Sequence, residues 1–218
     1  ANHASDPRLK SYANSLGSSS PARQMAISDA LANFTLTLGP EIVEKHFSGR
    51  MLYAGGDDVM AMLPVSDLLP AMAALRATYS GEIASSVGAN EDDTGIQRLA
   101  DGIAMHDRKY LRLMGDRATA SMGAVIAHHQ TPLNLVLNEL RLAEQRAKNE
   151  GHRDAFSIAL IKRSGGAVYL TAKWKGAGTE APMTCLQELA NAIKEDAASR
   201  RAAYSLNAWP VDLPDPQR

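Results

Sequence analysis

Apolar residues recur along the chain at two periods, and the switches between them mark out the elements. Ile27, Leu31, Phe34 and Leu38 step by four, three and four, which places them on one face of a helix. Ser20 as N-cap and Pro21 at the first helical position would open it, and Gly39-Pro40 is expected to break it before a short helix through Phe47. From Arg50 to Pro64 the pattern becomes two apolar runs hinged on Gly55-Gly56-Asp57-Asp58. That predicts a β-hairpin, because glycine reaches the positive φ of a tight primed turn without a Cβ clash. Leu68, Met72, Leu75 and Tyr79 return to helical spacing after a Ser66 cap.

Between Gly81 and about residue 117 the period fails, and this stretch reads as an insertion. Ile96, Leu99 and Ile103 suggest a short helix in it, after the acidic run Glu91-Asp92-Asp93. Ala118 to His128 reads as a strand of small residues. Thr131-Pro132 starts a helix with Val136, Leu140, Ala143 and Ala147 on one face and Gly151 as terminator. Asp154 to Arg163 and Ala167 to Trp174 alternate around Ser164-Gly165-Gly166 as a second hairpin. Gly176-Ala177-Gly178 reads as a linker, and Thr184 with Gln187 as a capping box for a further helix. The expected organisation is a flexible segment over 1–19, a domain over 20–174 and a linker with the start of a helical region over 175–218.

Composition narrows the class. The chain has 218 residues, 45% hydrophobic and 22% charged, enough for a packed core. A net charge of −1 gives no global basic signal, so any nucleic-acid contact must be local. Cys185 is the single cysteine, which excludes an internal disulfide and suits a reducing, cytoplasmic setting. No apolar run is long enough to cross a bilayer.

The chemistry concentrates at the first hairpin. Adjacent carboxylates at a turn lose hydration at a cost unless they are solvated, paired or metal-bound. Mg²⁺ or Mn²⁺ would suit them, since such ions take one or two carboxylates and fill their remaining positions with water and substrate phosphates. Glycine beside them lets backbone N–H groups approach a triphosphate. A solvated acidic turn is the competing reading. His128-His129 lacks a third ligand at metal spacing, and Glu91-Asp92-Asp93 suits the first turn of a helix.

Leu52-Tyr53-Ala54-Gly55-Gly56-Asp57-Asp58-Val59 resembles the GGDD hairpin in the palm domain of the large subunit of type III CRISPR effector complexes, the III-B form in particular. Ser20 to Phe34 resembles the helix that leads into that hairpin. Ala118 to Val125, His128, Pro132-Leu133 and Ala143 to Lys148 with Gly151, Arg153 and Asp154 resemble its following strand and helix. The likeness covers residues 20–174 in order. It implies an α+β, ferredoxin-like palm, an antiparallel sheet with helices packed on one side, and a nucleotidyltransferase that makes cyclic oligoadenylates from ATP with Mg²⁺ or Mn²⁺. It implies Asp57 and Asp58 as catalytic metal ligands, Gly55 and Gly56 at the phosphates, Lys148 on the triphosphate and Ser20 near the base. Ser20 and Lys148 also have plain readings, as a cap and as a cation at a helix C-terminus. Implied partners are the other subunits of the complex and, through them, CRISPR RNA and target RNA. His106, Arg108, Lys109 and Arg112 are candidates to touch RNA or a neighbouring subunit, or to form a solvated loop.

One feature departs from the pattern. Palms of this kind carry a further carboxylate on a strand before the first helix, where this chain has only Asp6, next to Pro7 and without a strand pattern. The first strand is therefore expected to be missing, and the isolated chain to be weak or inactive. Two other readings stay open: a GGDEF-type cyclase acting on GTP, although Val59 stands where that motif has Phe, and an inactive scaffold binding sibling subunits and CRISPR RNA.

Overall fold

The computed structural model describes residues 20–83, 95–100, 102–176 and 181–197. The expectations for the segment 1–19 with Asp6, for Glu91-Asp92-Asp93, for most of the glycine linker and for the tail after 197 lie outside these residues. The chain divides into two compact units, Ala1–Leu63 with Ala77–Ala118, and Pro64–Arg76 with Thr119–Arg218. Together they hold the helices, hairpins and mixed sheet of an α+β palm.

The first unit opens with α1 (Pro21–Asn33), capped where Ser20 Oγ accepts from Arg23 N at 3.2 Å. The expected break at Gly39-Pro40 does not occur. The helix continues as two wide π turns, Phe34–Leu38 and Glu41–His46, with Gly39 and Pro40 both in right-handed helical conformation. Gly39 N bonds back to the Phe34 carbonyl and Phe47 N to that of Ile42, five residues earlier in each case. A widened turn accommodates the proline ring, which would otherwise strike the preceding turn, and it needs no N–H from Pro40. Phe34, Leu38, Ile42 and Val43 are buried along this helix, and Phe34 meets Tyr79 edge-on at 5.1 Å.

Strands β1 (Arg50–Gly55) and β2 (Asp58–Met62) form the expected hairpin as a two-stranded sheet. The expected helix around Ile96, Leu99 and Ile103 is instead an antiparallel meander of β3 (Gln97–Ala100), β4 (Ile103–His106) and β5 (Lys109–Arg112). Gly102 at φ 70° turns β3 into β4, and a two-residue loop with Asp107 at 48° and Arg108 at 61° turns β4 into β5. Two left-handed residues in sequence are the requirement of a type I′ hairpin turn. Ala104 and Leu111, paired across β4 and β5, are buried with Ile96 and Leu113.

The second unit is built on a three-stranded sheet of β6 (Met122–Ile126), β7 (Ala155–Ile161) and β8 (Ala167–Lys173). β7 and β8 form the second hairpin as expected. The wholly antiparallel sheet does not hold, because β6 and β7 run parallel, joined by α3 (Leu133–Asn149). Alternation along the strands gives the sheet two covered faces rather than one. On one, Ala124, Phe156 and Ile158 pack with Trp174, with Met72 of α2 (Val65–Tyr79) and with Met183 of α4 (Pro182–Lys194). On the other, α3 lies so close that a Cβ on Gly123 would stand 2.5 Å from Glu144 N. Trp174 Nε1 donates to the Ala120 carbonyl at 2.8 Å, which satisfies its one polar atom in the core.

Three local expectations are corrected. Ser66 lies inside α2 and donates to Asp67 rather than capping the helix. Helix α4 begins at Pro182 with Ala181 as N-cap, so Thr184 and Gln187 form no capping box. The strand expected over Ala118 to His128 is confined to Met122–Ile126, so His128 and His129 sit beyond its end, their rings tilted at 38° with centroids 4.2 Å apart.

Candidate functional site

The register of the first hairpin decides where its acids stand. Gly55 pairs with Asp58, so the loop proper is Gly56-Asp57. Gly56 has φ 61° while Asp57 is not left-handed, the distribution of a type II′ turn, in which glycine takes the first central position. Asp57 thus occupies the turn and Asp58 the first position of β2. Both are exposed, and neither carboxylate has a hydrogen-bond or ion-pair partner among the described residues. Nothing lies within 4 Å of where a Cβ on Gly56 would be, so the backbone at the tip is open to a ligand.

Tyr53 belongs to this tip, although its role was not read from the sequence. Its hydroxyl stands 2.7 Å from the position a Cβ on Gly55 would take, so the ring lies over the glycine on one face of β1. The signal was available, since residues two apart on a strand share a face. The register shifts between Met51 and Tyr53, a bulge at Leu52, and both Leu52 and Tyr53 are about half exposed. Glu44 fixes the base of the hairpin by accepting from Met51 N at 3.0 Å.

The other predicted site residues are placed by different elements. Ser20 is engaged as the cap of α1. Lys148 stands exposed in the last turn of α3, in the second unit, where its ammonium donates to Glu144 one turn earlier. The chain beyond it takes a conformation that no sequence signal announced. His152, Arg153 and Asp154 are all left-handed, at φ 52°, 59° and 43°. Lys173 Nζ donates to the His152 and Arg153 carbonyls at 3.0 and 2.8 Å, and Arg76 grips the Asp154 carboxylate. Three such residues cost about 1–2 kcal/mol each, so the turn persists because these groups hold it.

The donor set at the tip suits a divalent ion shared with a nucleotide: two unpaired carboxylates, with room for water and phosphate oxygens. A purely protein-built cage is not present, since no group of three His, Cys, Asp or Glu side chains with metal geometry occurs among the described residues. Among the described residues of the first unit, a further charged cluster lies outside the hairpin. Glu41 accepts from Lys45 at 2.8 Å, and His106 Nε2 lies 3.5 Å from Glu41 and 3.6 Å from Asp107. The Glu41 hydrogen bond and charge, with a smaller contribution from Asp107, raise the Lys45 ammonium above the usual lysine range against a small opposing effect of burial.

The chain matches the family model described as Cas10/Cmr2, second palm domain, over residues 8–157. It belongs to that family. The match starts earlier and ends earlier than the span of the resemblance read from the sequence. Among curated relatives, it is 32% identical over 158 residues to the CRISPR system Cmr subunit Cmr2 of Pyrococcus furiosus, covering 72% of this chain and 15% of that protein. It is 33% identical over 119 residues to the CRISPR system CMR subunit Cmr2 of Saccharolobus solfataricus, covering 55% of this chain and 10% of that protein. The Cas10/Cmr2 palm therefore accounts for a small part of each relative's length. In structure it resembles a chain of the type III-B Cmr-beta complex in its apo state, with a TM-score of 0.64 at 21% identity, over 88% of this chain and 20% of that one. Among the described residues, no helix is long and apolar enough to cross a membrane.

Proposed function

We propose that this palm is the nucleotidyltransferase centre of a type III CRISPR effector subunit and converts ATP to cyclic oligoadenylates. The observation that carries the reading is the pair Asp57 and Asp58, both exposed at a two-residue turn and both without a protein partner among the described residues. Asp57 and Asp58 would hold Mg²⁺ or Mn²⁺, which when bound supplies charge neutralisation at the attacking and leaving oxygens.

The rest of the work falls to the chain itself. Gly56, with open space around it, lets the turn's backbone approach a phosphate. The hairpin register places the two carboxylates at adjacent positions of the tip, and Lys148 at the end of α3 is proposed to supply positive charge for the triphosphate. Ser20 is proposed near the base, in addition to its capping role. The bond made joins a ribose 3′-hydroxyl to an α-phosphate, and pyrophosphate leaves; in such reactions the protein contributes mainly position and charge. The partners proposed for the assembled subunit are sibling subunits of a type III complex, with CRISPR RNA and target RNA reached through them.

Calorimetry of ATP and GTP binding with Mg²⁺ or Mn²⁺, on this chain and on Asp57→Ala/Asp58→Ala, tests the reading. Metal-dependent ATP binding lost in the variant is the expected result. Preference for GTP would move the assignment to a GGDEF-type cyclase. Absence of binding by either protein, with assembly into a complex intact, would favour a scaffold, a reading that the two-carboxylate donor set keeps in play.

A further inference from the structure

Tyr53 and Asp58 share a face of the first hairpin. Tyr53 pairs with Met60 and Gly55 with Asp58. Residues paired across antiparallel strands, or two apart along one strand, point the same way. Tyr53 and Asp58 are therefore diagonal neighbours, a separation that an aromatic side chain can span. The position between them on β1 is Gly55. A Cβ there would stand 2.7 Å from the Tyr53 hydroxyl oxygen and 3.0 Å from the ring carbon that bears it. The side chain thus runs along the strand toward the turn, with its hydroxyl end over the glycine. The bulge at Leu52 immediately precedes it, and bulges next to functional sites re-aim a side chain in this way. Tyr53 is 55% exposed, and its hydroxyl has no hydrogen-bond partner among the described residues.

A solvated tyrosine would account for the missing partner. It leaves unexplained why the hydroxyl lies toward the acid tip, across a strand position where only glycine leaves room for it. Asp57 and Asp58 bring negative charge and no donor, whereas phosphate oxygens are acceptors. A triphosphate brought to these acids by a divalent ion has oxygens to be satisfied beside the carboxylates, and a phenolic O–H can donate to one without adding charge. We infer that Tyr53 is a triphosphate-binding residue, its hydroxyl donating to a phosphate oxygen of the nucleotide whose metal ion Asp58 holds. The inference rests on the nucleotidyltransferase reading of the hairpin and adds to it a residue that orients the phosphates. It also separates the two glycines. Gly56 leaves the backbone of the turn open to the ligand, and Gly55 leaves room for the tyrosine hydroxyl.

Calorimetry of this chain in Mn²⁺, with ATP and with inorganic tripolyphosphate as probes, tests the contact. Tyr53→Phe removes one oxygen and keeps the ring. It should weaken ATP binding roughly ten-fold or more, as loss of a hydrogen bond to a charged group does. Tripolyphosphate, which has no nucleoside, should be weakened by about the same factor. The thermal midpoint of Tyr53→Phe without ligand should match that of wild type. A tyrosine with a merely structural role would instead lower the midpoint and leave the affinity of the folded protein as it was. Asp57→Ala/Asp58→Ala separates the two ways of failing. If that variant loses metal-dependent ATP binding while Tyr53→Phe binds as tightly as wild type, this inference alone is overturned. If wild type binds no ATP with metal, or the double variant binds it undiminished, the nucleotidyltransferase reading falls and this inference with it. A deficit seen with ATP but absent with tripolyphosphate would put the hydroxyl on the nucleoside, and overturns the assignment to phosphate.

Discussion

Arg76 holds Asp154 across a sequence separation of 78 residues, with Nε and Nη2 at 3.1 and 2.6 Å from the same carboxylate oxygen. Arg76 is nearly buried and Asp154 partly so, on a turn whose three left-handed residues would relax without them. Loss of either partner leaves a charge poorly solvated and releases the strain. Asp154→Ala and Arg76→Ala are each expected to lower unfolding free energy by roughly 2–3 kcal/mol, somewhat less than a fully buried pair. In a urea double-mutant cycle the two losses should be clearly non-additive; additive losses would show that the pair does not act as a unit.

The acids at the hairpin tip should behave in the opposite way. They have no protein partner among the described residues, so Asp57→Ala/Asp58→Ala is expected to change stability by less than about 0.5 kcal/mol. Nucleotide binding should nevertheless be lost. A large fall in thermal midpoint together with the loss of binding would assign the acids a structural role.

Gly56 carries the turn. Its φ of 61° would be strained for a β-branched side chain, and Gly56→Val should cost at least about 1–2 kcal/mol. Gly56→Asn, which tolerates left-handed backbone, should cost less. Chemical denaturation of the two variants gives the order; equal losses would show that φ is not the cause.

Gly55 and Tyr53 make a separable pair. An added methyl at Gly55 meets the flexible end of the tyrosine, so Gly55→Ala should cost under about 1 kcal/mol while displacing the ring. In a Tyr53→Ala background the same substitution should cost nothing further. Persistence of the full cost there would place the strain in the backbone.

At Gly123 the neighbour cannot give way. The obstructing atoms are backbone N of Glu144 and backbone C of Ala143, so Gly123→Val should push α3 off the sheet and cost about 3 kcal/mol or more. Calorimetric unfolding with an unchanged midpoint would refute that packing.

What could be read from the sequence was what rests on local rules. The hairpin at Gly55-Gly56, the helix ending near Gly151 and the β7–β8 pair each have a period and a turn residue that agree, and the structure has all three. The acids at the first tip were legible for the same reason. The meander was hidden because its strands have only four residues and because Ile96, Leu99 and Ile103 happen to fall at helical spacing. His106, a buried polar group on the inner face, also blurs the alternation. The parallel pairing of β6 and β7 has no local signature, since partners such as Ala124 and Ile158 are chosen by the sheet. The left-handed turn at 152–154 was invisible because Arg76 and Lys173, which hold it, are far away in sequence.

The two-residue loop at Gly56-Asp57 also sets an order of events. A hairpin closed over so few residues forms on the scale of about 1–10 microseconds. The parallel pair β6 and β7 must wait for the chain between Ile126 and Ala155 to fold back as α3, and long-range pairing of that kind is slower. The acid pair is thus assembled by closure of its own neighbourhood while the larger sheet is still searching for its register.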